Sequence, residues 1–115
     1  MLRSVPGIVY PPSPERVVWN YAYFPILVRE NYGASRDVLY DYLKRHGVYG
    51  RRYFFPLISE FPMYRDLPSA ARAGLPVAAR IAEDVLCLPI YPDLEQEDVE
   101  RVVALIQACP ARPRE

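Results

Sequence analysis

Lysine is almost absent from this sequence: Lys44 stands alone beside thirteen arginines. Histidine occurs once, at His46, and cysteine twice, at Cys87 and Cys109. Two widely spaced thiols in apolar surroundings read as buried free cysteines of a cytoplasmic protein, and no metal-ligand spacing accompanies them. The five glycines are scattered singly, which excludes a glycine-rich phosphate loop. No serine sits in a nucleophile elbow. His46 has no nucleophile or base motif around it and reads as a cation placed at the negative end of a helix. No apolar run approaches the roughly 20 residues of a membrane span. The N-terminal "MLRSVPGIVYPP" lacks the long apolar centre of a signal peptide. An excess of one charge is missing too: fourteen basic residues balance fourteen acidic ones. That balance argues against nucleic acid or an anionic membrane as a partner.

What is present is a chain of one-domain size, with 115 residues of which 51% are hydrophobic. Thirteen prolines and ten tyrosines are high for this length, and the prolines are dispersed as turn and strand-end markers. Residues 1–16 read as an extended arm, 17–109 as the domain and 110–115 as a tail. "VVWNYAYFPILV", Val17 to Val28, is dense in β-branched and aromatic residues and predicts a strand, with Pro25 marking an edge or a bulge. Ser35 suits the N-cap of a helix reaching about His46, with Val38, Leu39, Tyr42 and Leu43 on one face and Gly47 at the C-cap. "RRYFFPLI", Arg51 to Ile58, predicts a second strand; residues 59–75 show no period. Pro76 suits a helix start, with Val77, Ala78, Ile81, Ala82 and Val85 inward and Arg80, Glu83 and Asp84 toward water. "LCLPI", Leu86 to Ile90, predicts a third strand. A last helix runs from about Gln96 to Cys109, with Val99, Val102, Val103 and Ile106 inward. Its first turn is acidic, matching the helix dipole.

Short strands and amphipathic helices cannot bury their apolar faces singly. The expected fold is α+β and two-layered: a small three-stranded mixed or antiparallel sheet with about three helices packed mainly on one face. Among the charged segments, "EQED" (Glu95 to Asp98) reads as a helix start. "RRYFF" has two readings. Arg51 and Arg52 either begin a strand or offer a bidentate fork to a phosphate or carboxylate, with aromatic rings beside it. Neither segment completes an active site.

The segments "NYAYFPILV", "RRYFFPL" and "LPVAARIAEDVLCLPIYPDLEQEDVERVVALI" resemble the C-terminal part of the DegT/DnrJ/EryC1/StrS aminotransferases. The resemblance runs from "VPGIVYPP" to Ile106 and is most specific from Leu75 to Val103. It implies the C-terminal domain of a fold-type I, pyridoxal-phosphate (PLP) enzyme that moves an amino group, usually from glutamate, onto a keto sugar carried by a nucleotide. "NYAYFPI" and "RRYFFPL" resemble the branch acting on dTDP-linked deoxysugars. One departure is Glu95 at the start of the last helix, where the family commonly has a small hydroxyl or Asp.

In the family PLP is held by a lysine of a large N-terminal domain, and Lys44, in a pattern that reads as exposed, is a poor substitute. The resemblance therefore implies no catalytic or cofactor-binding residue in this chain, and a missing N-terminal PLP domain as partner. Met1 falls within what resembles the inter-domain segment. The strand-end residues that would approach a nucleotide-sugar substrate are Arg52, Tyr53 and Phe54, then Tyr23 and Tyr91. The rival expectation is a stand-alone α+β interaction module that self-associates, since apolar surface without a partner domain seeks a dimer.

Overall fold

The computed structural model describes residues 1–111. Its sheet has three antiparallel strands in the order β1 (Ile8–Val9), β2 (Phe24–Val28), β3 (Val85–Leu88). The helices are α1 (Arg36–Arg45), α2 (Pro76–Asp84) and α3 (Gln96–Ala108). The α+β expectation with three strands and three helices holds, although one of the strands is not the expected one.

Pleat parity explains the core. Ile26 pairs with Leu86, Phe24 with Leu88, and Val28 with Ile8, so these residues share one face. Against that face come Leu39 and Leu43 of α1 and Val102 and Ile106 of α3. Ile26, Leu39, Leu43, Leu86 and Ile106 are wholly buried, each worth about 1.5–3 kcal/mol of transfer from water. All four residues of β3 are buried, which accounts for a continuous apolar run in place of an alternating one.

Pro25 fits because of its place in the ladder. Opposite it, Cys87 turns both its N–H and its carbonyl to Arg51, at 2.8 and 2.9 Å. Pro25 and Cys87 are thus a non-hydrogen-bonded pair, and the donor that Pro25 lacks is not needed there. The other flank of β2 faces β1, whose pairs are Ile8 with Val28 and Val9 with Leu27. Continued in register, the next hydrogen-bonded pair would set Pro11 against Pro25, neither with an N–H to give. That is why β1 stops after two residues. Pro25 marks the point where one flank of β2 becomes an edge.

Several expectations are corrected. Val17 to Tyr23 are not strand: Arg16 and Tyr21 have φ of 63° and 52°, and the Asn20 side chain accepts from the Ala22 N–H, a local turn. Arg51 to Ile58 form no strand beyond an isolated bridge from Arg51 to Cys87; Phe54, at φ 48°, breaks the extended path. The third strand comes instead from Ile8 and Val9, within the arm. Asp84 is buried and not water-facing, because Arg29 Nη1 reaches its carboxylate at 2.7 Å. Val77 is 75% exposed, since α2 is buried only in its second half, at Ala82 and Asp84. Ser35 caps α1 as expected, its Oγ accepting from the Val38 N–H at 3.2 Å, and Gly47 follows with φ 76°. The segment 110–115 lies partly outside the described residues.

Candidate functional site

The site is organised by a residue with an unusual position. Arg36 is the first residue of α1, where a positive charge meets the positive pole of the helix. It is nevertheless 1% exposed. Its Nη1 donates to the carbonyls of Ala82 and Val85, at 2.9 and 3.0 Å. These lie at the carboxyl end of α2, where carbonyls lack helical partners and a cation is favoured. Arg36 Nε donates to Asp37 Oδ1 at 2.8 Å, and its guanidinium carbon lies 4.9 Å from the centre of the Phe55 ring.

Arg52 stands on the outer side of this group. Its Nη1 is 3.4 Å from the same Asp37 Oδ1. Its guanidinium carbon lies over the rings of Tyr40 and Phe55, at 4.9 and 5.0 Å from their centres, a cation–π placement. Beyond it the Tyr53 ring is 4.2 Å from Phe54 and 5.0 Å from Tyr23. Phe54 is 67% exposed and holds a left-handed backbone conformation. For an aromatic residue that conformation costs of order 1–3 kcal/mol, a strain that recurs at binding sites.

Of the five residues expected from the sequence, the structure brings Tyr23, Tyr53 and Phe54 into contact, with Arg52 adjacent. Tyr91 stands apart, beside a cavity of about 430 Å³ walled by Tyr49, Asp98 and Arg101. Tyr23 also borders a smaller cavity of about 230 Å³ with Arg51 and Cys87. Sequence reasoning missed Arg36, Asp37, Tyr40 and Phe55. Arg36 carried a legible signal: a basic residue at a helix start is electrostatically misplaced unless a buried partner holds it.

Cys109 meets the Tyr32 hydroxyl, but burial pushes that phenol's ionisation up, so it is no ready base. Burial pushes the Cys87 thiol up, with the Arg51 charge opposing in part, so this thiol is not primed for attack. His46 is spent on the end of α1: its Nδ1 lies 2.8 Å from the Tyr42 carbonyl, its ring packs on Tyr42, and its own carbonyl accepts from Arg101. The described residues contain no cluster of three or more potential metal ligands, and none of their helices is long and apolar enough to cross a membrane. A further cavity of about 450 Å³, walled by Leu2, Tyr10, Phe24, Leu88, Val99 and Val103 among others, carries no charged side chain. The arrangement around Arg52 can hold an anion and stack a ring.

The model of the DegT/DnrJ/EryC1/StrS aminotransferase family matches residues 1–107. The chain is 45% identical over 106 residues to a dTDP-4-amino-4,6-dideoxy-D-glucose transaminase of Escherichia coli, covering 92% of this chain and 29% of that protein. It is 36% identical over 107 residues to the transaminase of the same name from Shigella dysenteriae, covering 92% and 28%. Among solved structures it is similar to the aminotransferase TlmJ from Streptoalloteichus hindustanus. That match has a TM-score of 0.70 and 29% identity, over 93% of this chain and 27% of the other. The chain thus spans less than a third of the length of these relatives.

Proposed function

The chain belongs to the DegT/DnrJ/EryC1/StrS aminotransferase family, and from that premise we propose that it is the C-terminal small domain of a nucleotide-sugar aminotransferase. In this reading the complete enzyme moves an amino group from glutamate to a dTDP-linked keto-deoxysugar. The observation that carries it is 45% identity across 92% of the chain to a transaminase of a dTDP-amino sugar.

The family is PLP-dependent, but the residues of this chain do not fit PLP. The only lysine, Lys44, is exposed in the last turn of α1. None of the cavities described above has a lysine in its wall. The coenzyme's chemistry belongs to a separate lysine-bearing domain, against which this domain closes. Exposed Ile58, Met63 and Leu67 supply apolar surface for that contact.

The role left to this chain is substrate recognition. Arg52 offers the charged fork for the diphosphate of the carrier. Tyr53 and Phe54, with Tyr23 behind them, offer ring faces to the base or sugar, and Tyr91 marks the more distant end of the surface.

The test is a chimera in which this chain replaces the matching segment of the Escherichia coli relative. The expected result is amino transfer between glutamate and the dTDP-linked sugar. Arg52→Met should lower kcat/KM by about 10- to 100-fold, the loss of one charge-assisted contact. A chimera that folds and binds PLP but leaves dTDP-sugars untouched would refute the reading.

A further inference from the structure

One carboxylate oxygen serves two arginines. Asp37 Oδ1 accepts from Arg36 Nε at 2.8 Å and stands 3.4 Å from Arg52 Nη1. The two demands are unequal. Arg36 is shut away from water, and a buried guanidinium gives up its counter-ion only at a heavy desolvation cost. Arg52 is partly exposed and its contact is long and single, a geometry that water and salt weaken readily. When Arg52 leaves Asp37 it still has a seat, because its guanidinium carbon lies over the Tyr40 and Phe55 rings. Phe55 is itself packed against Arg36. Two guanidiniums and one carboxylate leave the group with a net single positive charge.

We propose that Asp37 is the resting counter-ion of Arg52, exchanged for a phosphate or diphosphate of the ligand while Asp37 stays bonded to Arg36. This rests on the reading of Arg52 as the anion-binding residue. The exchange acts as a filter. A phosphate group with several oxygens and up to two charges can take both guanidinium nitrogens and outcompete one long contact. A simple carboxylate gains nothing over the one already in place.

The probe is inorganic pyrophosphate, titrated into the full 115-residue chain and followed by NMR at the Arg52 Nε–Hε group and the Asp37 carboxylate carbon, with acetate as the control anion. Both signals should move together and saturate with one Kd, while Arg36 Nε–Hε stays still and acetate moves neither. Asp37→Asn should tighten pyrophosphate binding by about three- to tenfold at low salt, the scale of one exposed ion pair plus relief of charge repulsion. If Arg52 responds while the Asp37 carbon does not, or if a folded Asp37→Asn chain binds no more tightly, the counter-ion role is overturned and Arg52 keeps its own. If there is no saturable response, or if Arg52→Met binds as the parent does, the reading of Arg52 fails and this inference falls with it. The titration of the unaltered chain decides the matter even where Asp37→Asn does not fold.

Discussion

Gly7 shows how little room a single residue can have. It is buried with φ 77°, and a Cβ built on it would stand 2.1 Å from the Tyr32 backbone nitrogen. The obstacle is main chain, which cannot rotate aside. Gly7→Ala should therefore cost more than about 3 kcal/mol, strain and displacement together, and thermal or urea unfolding will read it. Tyr32 carries a second, pH-dependent prediction. Its hydroxyl donates to the Ile106 carbonyl. Burial first, and then neighbouring Cys109, push its ionisation above the ordinary phenol range. The unfolded chain releases this proton near pH 10 and the folded chain does not. The contribution of Tyr32 to stability should then be constant below about pH 10 and fall as pH rises beyond it. Tyr32→Phe should flatten that alkaline fall, at a cost of about 1 kcal/mol near neutrality for the lost hydrogen bond. Subtracting its unfolding curves from those of the parent isolates this group from the other tyrosines.

Helices and strands differ in how openly they declare themselves. The first helix was legible because its signals are local: Ser35 caps, Asp37 suits the first turn, Leu39 and Leu43 recur at one face, and Gly47 ends it. The last helix begins at Glu95, whose side chain makes no cap bond. Glu95→Ser should add about 1 kcal/mol, measured as a shift in the denaturant midpoint at constant m-value. The aromatic runs at 17–23 and 51–58 misled because strand propensity records a side chain's fit to a covered surface, not the path of its backbone. Positive φ at Arg16, Tyr21 and Phe54 turns both runs out of extension. Nothing in the sequence marks those angles, as none of the three is a glycine. The strand at Ile8–Val9 escaped notice because two residues carry no period. Around the candidate site, Arg52, Tyr53 and Phe54 were legible as a motif. Asp37, Tyr40 and Phe55 were not, because their roles depend on a meeting across the fold.

At the scale of the molecule, the radius of gyration is 15.6 Å, against about 13 Å for a compact chain of this length. The excess reflects segments that run outside the core, chiefly 11–23 and 51–75, where most large apolar side chains are exposed. Part of that outer loop is pinned: Arg72 bridges Glu60 and Glu83, at 3.0 and 2.9 Å. The isolated chain should associate weakly. Light scattering should show a mass that rises with concentration and returns to the monomer value when Ile58, Met63 and Leu67 are all replaced by Ser. A sharp dimer of constant mass would instead favour the self-associating module. Incubated with PLP and desalted, the chain should keep no visible absorption; retained colour that vanishes in Lys44→Arg would place the coenzyme here after all.

The short first strand carries a consequence for crowded solutions. A sheet flank with free donors and acceptors invites a stranger's backbone to zip on, and stacking of that kind grows into fibrils. Here the incoming chain would meet Pro25, a ring nitrogen with no hydrogen to share, and the invitation lapses after one residue. The imino acid that looked like an interruption withholds the donor that such stacking needs at this position.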